Sequence, residues 1–131
     1  MSRGLRNNNP LNIRHGKSPW RGLAEDQPDK AFCKFVAPEW GYRAALITLR
    51  SYQSKHGLRT VRQMIGRWAP PNENNTEAYI SSVCRRASLE ADTPVNLQDR
   101  DTAVRLMAAM SYVENGKVAN LKDVAAGYDL A

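Results

Sequence analysis

From Pro38 onward the apolar residues recur at helical spacing; before it they do not. Tyr42, Ala45, Leu46, Leu49 and Tyr52 fall three or four positions apart up to Lys55. That spacing gives one buried face on a helix, and Gly57 supplies its stop. Thr60 caps a short helix with Val61, Met64, Ile65 and Trp68 as its stripe. Pro70-Pro71 ends it, because a proline pushes the preceding Ala69 out of the helical region. Beyond the loop at 70–76, Asn75 or Thr76 caps a third helix with Tyr79, Ile80, Val83 and Ala87 facing inward. A polar connector at 90–100 leads to the central helix at 101–116, and Asn120 starts a last short helix through Val124 and Tyr128. There are no repeats and no interdomain linker. The pattern predicts a mainly helical single domain with one irregular N-terminal lobe.

That lobe, residues 3–34, has three consecutive asparagines, a proline and a Gly-Lys-Ser-Pro-Trp-Arg-Gly run. Such a composition leaves little room for a regular helix. Short extended pieces at 11–14 and 31–36 are expected to pair as a small ribbon. An irregular segment of this length is usually functional or tightly tied down. The amides of Asn7, Asn8, Asn9 and Asn12 suit either role. They bond backbone groups in turns, and the same atoms suit sugar hydroxyls and acetamido groups.

On a helical wheel of 101–116, Ala103, Val104, Leu106, Met107, Ala108, Met110 and Val113 form a broad apolar arc. Glu114 falls inside it, with Ser111 as its nearest polar companion, in the last turn before the stop signal Asn115-Gly116. A carboxylate there opposes the helix dipole. Such a placement is expected to raise its pKa, as a general acid near neutral pH requires. Two other carboxylates invite comparison. Glu39 opens a helix and is explained by the dipole alone. Glu73 sits in a loop behind two prolines, which suits orienting a substrate or a water as well as it suits turn bonds.

Composition narrows the classes. The chain has 131 residues with 42% hydrophobic and 24% charged content, ordinary for one soluble domain. No stretch has the apolar length of a membrane span, and the N-terminus lacks the apolar core of a secretory signal. Action outside the cytoplasm is therefore expected to need another means of carriage or release. A formal charge of +6 suits an anionic partner. Nucleic acid is not expected, because Arg67, Arg85 and Arg86 show no common face with Arg105. Cys33 and Cys84 lack metal-ligand spacing and read as free thiols, and His15 and His56 stand alone, so neither metal nor cofactor is expected. No serine elbow, phosphate-binding glycine loop or Cys-His pairing is present. Carboxylate acid/base chemistry is the enzymatic reading these residues support, and glycoside cleavage is its common use.

Several motifs carry a resemblance. RGLRNNNPLNIRHG at 3–16, W-R-G at 20–22, F-V-A-P-E-W-G-Y-R-A at 35–44 and R-W-A-P-P-N-E-N-N-T-E-A-Y-I at 67–80 resemble small phage and prophage virion-associated proteins with a lysozyme-like fold. The closing A-A-M-S-Y-V-E-N-G at 108–116 resembles that family's helix end. More distantly, N-N-P-L-N-I-R with W-x-G is similar to the N-L-F-G-I-K region of flagellar and autolysin-type glucosaminidases and lytic transglycosylases. There a helix ending in E-S-G precedes that region and carries the catalytic glutamate. Here the one helix ending in Glu-x-Gly is the late one, so the resemblance implies a single lysozyme-like α (α+β) domain in circularly permuted order. It implies a monomeric peptidoglycan-cleaving enzyme with Glu114 as acid, Glu73 as candidate partner, and Asn9, Asn12, Trp20, Tyr42 and Tyr79 lining the sugar groove. Trp68 is assigned to the core. The alternative is a virion or wall-binding protein that kept the groove without catalysis.

Overall fold

A computed structural model describes residues Met1–Ala131. Six helices make up 53% of the chain: α1 (Arg3–Arg6), α2 (Pro38–His56), α3 (Val61–Trp68), α4 (Thr76–Ala87), α5 (Arg100–Asn115) and α6 (Leu121–Leu130). None is long and apolar enough to cross a membrane.

Each helix after the first begins and ends for a local reason. Pro38 occupies the first turn of α2, where its missing N–H is no loss, and Gly57 closes it in the left-handed region. Thr60 and Gln63 form a reciprocal capping box on α3. Of the two candidate caps for α4, Asn75 does the work, its side chain accepting from the Ala78 N–H. Asp99 and Asn120 cap α5 and α6 in the same way. The long α2 packs along α6, and α4 lies along α5, which also meets α6 and α1. Their inward stripes merge into one hydrophobic core with Leu46, Leu49, Met64, Ile65, Leu106, Met107 and Met110 fully buried. Along α5 the buried seam runs through Ala109 and Ser111, and Val104, Ala108 and Val113 stand at its border rather than inside it. The apolar arc on the wheel is wider than the groove between α4 and α6 that receives it.

The N-terminal lobe holds one element that composition hid. Residues 3–6 form a single helical turn, nucleated by the Ser2 hydroxyl accepting from the Leu5 N–H at 3.2 Å. The expected ribbon is present in minimal form. Arg14 bridges Phe32 antiparallel, with Cys33 N–H donating to the Ile13 carbonyl at 2.9 Å. A second bridge joins Leu23 to Phe35, and side chains add to these backbone ties. Asn8 and Asn12 adopt left-handed backbone (φ 50° and 54°), which asparagine tolerates better than other residues with a side chain. Gly41 of α2 lets this segment approach: a Cβ there would lie 2.6 Å from the Asn8 carbonyl oxygen.

Asp29 ties the lobe together electrostatically. Its carboxylate accepts from Arg3 Nε and Nη2 (2.6 and 2.8 Å), from Asn7 Nδ2 and from the Ala31 and Phe32 N–H groups. The Arg3 guanidinium, followed by the backbone donors, holds this carboxyl well below the usual range. A depressed folded pKa means that the unfolded chain takes up the proton first. The stabilisation is therefore complete above about pH 4 and is lost as pH falls further. Melting curves through the acid range should show the wild type losing more stability on acidification than Asp29→Asn. Parallel acid losses in the two proteins would remove Asp29 from this role.

Candidate functional site

The last two residues of α5 and the glycine that caps it divide the work of building the site. Gly116 takes the left-handed conformation (φ 66°) that ends the helix, its N–H donating to the Tyr112 carbonyl at 2.8 Å. Asn115 fastens the N-terminal lobe to the helix. Its Nδ2 donates to the carbonyls of Pro10 (2.8 Å) and Ser111 (2.9 Å), and its Oδ1 accepts from the Ser2 hydroxyl at 2.7 Å. With that lobe fixed, Glu114 meets two donors. Asn12 Nδ2 lies 2.8 Å from Oε1 and the Tyr79 hydroxyl 2.8 Å from Oε2. These bonds offset the conflict between a carboxylate and the negative end of a helix. Burial, together with the negative charge of Glu114, pushes the Tyr79 phenol well above its ordinary range. It therefore remains a donor at neutral pH.

Asn12 also lines an open cleft of about 390 Å³, which it shares with Trp20, Tyr52, Arg67, Trp68 and Glu73. Tyr79 lines a second hollow of about 430 Å³ with Asn74, Asn75 and Tyr112. Glu114 is thus bonded to one residue from each hollow and itself lines neither. The loop at 70–75 contributes to both hollows. It is held by the Pro70 carbonyl, which accepts from the Glu73 and Asn74 N–H groups (both 3.1 Å), and by the Thr76 hydroxyl on the Ala69 carbonyl.

Of the residues singled out from sequence, Glu114, Asn12 and Tyr79 are in direct contact, and Glu73 and Trp20 share the cleft with Asn12. Glu114 and Tyr79 themselves lie outside the cleft, Tyr79 being a largely buried wall of the second hollow, and two further residues line neither hollow. Asn9, expected to line the groove, is 0% exposed. Its amide is consumed by backbone: Nδ2 donates to the Ile13 and Cys33 carbonyls and Oδ1 accepts from the Ile13 N–H. Tyr42, also expected in the groove, is 2% exposed, with its hydroxyl 3.0 Å from that of Ser111. Trp68, assigned to the core, packs against it half-buried and also forms a wall of the cleft, edge-on to Tyr52 with ring centroids 6.1 Å apart. Tyr52 and Arg67 were missed; the guanidinium lies 5.3 Å above the Tyr52 ring. The signal in the sequence is position: Trp68 ends its helix one residue before Pro70-Pro71 and the loop that borders the cleft.

The arginine pattern needs one correction. Arg86 and Arg105 do share a shallow hollow, because α4 and α5 lie side by side. Neither is a free cation there. Arg105 bonds Asp101 and the Ala87 carbonyl, and Arg86 lies over the Tyr112 ring. No cluster of three or more His, Cys, Asp or Glu side chains gathers as a metal site, and Cys33 and Cys84 are free thiols.

No protein-family model matches the chain. It is 40% identical over 118 residues to Protein P5 of Pseudoalteromonas phage PM2, a match spanning 88% of this chain and 72% of that protein.

Proposed function

We propose that this chain, which belongs to the family of Protein P5 of Pseudoalteromonas phage PM2, is a lysozyme-like enzyme that cleaves peptidoglycan glycan strands between aminosugars, with Glu114 as the proton donor. The observation that carries this reading is the carboxyl of Glu114, half-buried and oriented by Asn12 and Tyr79, one residue from each hollow, at 2.8 Å each. A general acid for glycoside cleavage must be held at a fixed point along a groove, beside the bond it protonates. Aromatic faces at Trp20, Tyr52 and Trp68 suit the apolar faces of sugar rings, and Arg67 suits an anionic substituent. Through Asn115 the end of α5 meets Ser2 and Pro10, so the glutamate helix and the asparagine motif adjoin in space, which suits the permuted order.

Glu114 protonates the glycosidic oxygen. It then serves as base to a substrate hydroxyl, giving a transglycosylase, or Glu73 activates a water or attacks the sugar, giving a hydrolase. Two measurements on Glu73→Gln decide between these. If Glu73 takes part, release of soluble glycan from purified sacculi falls by about 100-fold with the melting temperature unchanged. Unaltered release leaves Glu114 to act alone. Wild-type protein that binds sacculi and releases nothing contradicts the enzymatic reading and favours a structural virion or wall-binding protein.

A further inference from the structure

Asn12 is satisfied at one end only. Nδ2 donates to Glu114 Oε1 at 2.8 Å, whereas Oδ1 is buried and meets no hydrogen-bond donor in the protein. A buried carbonyl without a donor is costly, so its persistence calls for a reason. The surroundings of Oδ1 are unusual as well. The point where a Cβ on Gly4 would sit lies 3.0 Å from Asn12 Oδ1, 2.8 Å from the Asn9 carbonyl oxygen and 2.9 Å from Asn115 Oδ1. Three oxygens converge on one face of a glycine.

Half a turn about the last side-chain bond of Asn12 exchanges its oxygen and nitrogen. The NH2 group then takes the buried place of the unpartnered Oδ1, on the face of Gly4 where the Asn9 carbonyl and Asn115 Oδ1 also lie, and the oxygen faces Glu114. Each orientation suits one protonation state. A carboxylate is met by the donor Nδ2; a carboxylic acid with its proton on Oε1 donates, and is met by the acceptor Oδ1. We infer that Asn12 is a positioning residue whose amide turns over with the protonation of Glu114, donating to the carboxylate and accepting from the acid. No proton enters or leaves Asn12; the transferred proton belongs to Glu114 throughout. The catalytic use of this motion rests on Glu114 being the acid proposed above, and the motion itself does not. A residue that gives up a proton and recovers it in one turnover thereby keeps the same partner and the same orientation in both states.

The groups around Glu114 are few. Tyr79 approaches from α4 and stays protonated. Tyr112 lies two residues back on α5 beneath Arg86. Arg14, Arg67 and Glu73 line the cleft on the far side of Asn12. The test is an NMR titration of isotopically labelled protein, following the Glu114 carboxyl carbon and the Asn12 side-chain amide nitrogen together. In the wild type the two signals should move with one midpoint. In Glu114→Gln, the Asn12 amide should hold one position over the same range. An Asn12 amide that ignores the Glu114 titration, or titrates equally in Glu114→Gln, overturns the inference. The wild-type titration decides the matter even if the variant folds poorly. Shared titration together with full cleavage by Glu114→Gln would keep the amide rotation and sink the enzymatic reading. An inactive variant beside an immobile wild-type amide would do the reverse.

Discussion

Glu114→Gln is expected to lose glycan cleavage by at least about 100-fold while the protein remains folded. The substitution keeps the shape of the side chain and removes the acidic proton. Its oxygen can still accept from the Tyr79 hydroxyl, now 2.8 Å from Oε2. Its new NH2 would face Asn12 Nδ2, a donor against a donor, unless the Asn12 amide rotates to offer its unpartnered Oδ1. That rotation restores both contacts. Removing a negative charge from the end of α5 offsets part of the lost charge-assisted bonding, so stability should stay within about 1 kcal/mol of wild type. A melting curve beside a sacculus assay reads both effects. A large fall in melting temperature would mark Glu114 as a structural residue, and its loss of activity would then say nothing about mechanism.

Asn9→Ala should do the opposite, removing stability by way of the backbone. The Asn9 amide satisfies three backbone groups, the Ile13 N–H and the carbonyls of Ile13 and Cys33, in a place closed to water. Truncation orphans the amide's share of each, at about 1–3 kcal/mol per buried group. A combined loss of about 3–5 kcal/mol is expected, a drop in melting temperature of about 10 °C or more for a domain of this size. Thermal unfolding followed by circular dichroism measures it. An Asn9→Ala protein that melts like wild type and fails to cleave would return Asn9 to the sugar groove.

The contrast between Asn9 and Asn12 shows how far the sequence could be read. Both are asparagines in one five-residue motif, and both suited either a turn or a sugar. Their roles separate only once the chain has folded, because the Glu114 partner of Asn12 lies 102 positions away, and Asn9, bonded locally to Ile13, is closed off by Cys33 from 24 positions away. The helices were legible for the opposite reason. Their boundaries depend on neighbours in sequence, as at Thr60 with Gln63, Ala69 before Pro70, and Gly116 after Asn115. Tyr42 and Tyr52 mark the limit of that legibility. They share one stripe of α2, yet Tyr42 lies beneath α6 and Tyr52 opens into the cleft beside Trp68. Periodicity identifies the face of a helix, and only the neighbouring elements decide where along that face the core stops. Glu114 stands out in the sequence because its position runs against local preference, which requires no knowledge of its partners.

The most direct test of the central claim is mass spectrometry of the soluble products released from purified sacculi by the wild type and by Glu114→Gln. The account predicts glycan fragments cut between aminosugars with the stem peptides intact, 1,6-anhydro or reducing ends reporting transglycosylation or hydrolysis, and none from the variant. Release of the same fragments by Glu114→Gln, or no fragments from the folded wild type, would contradict it.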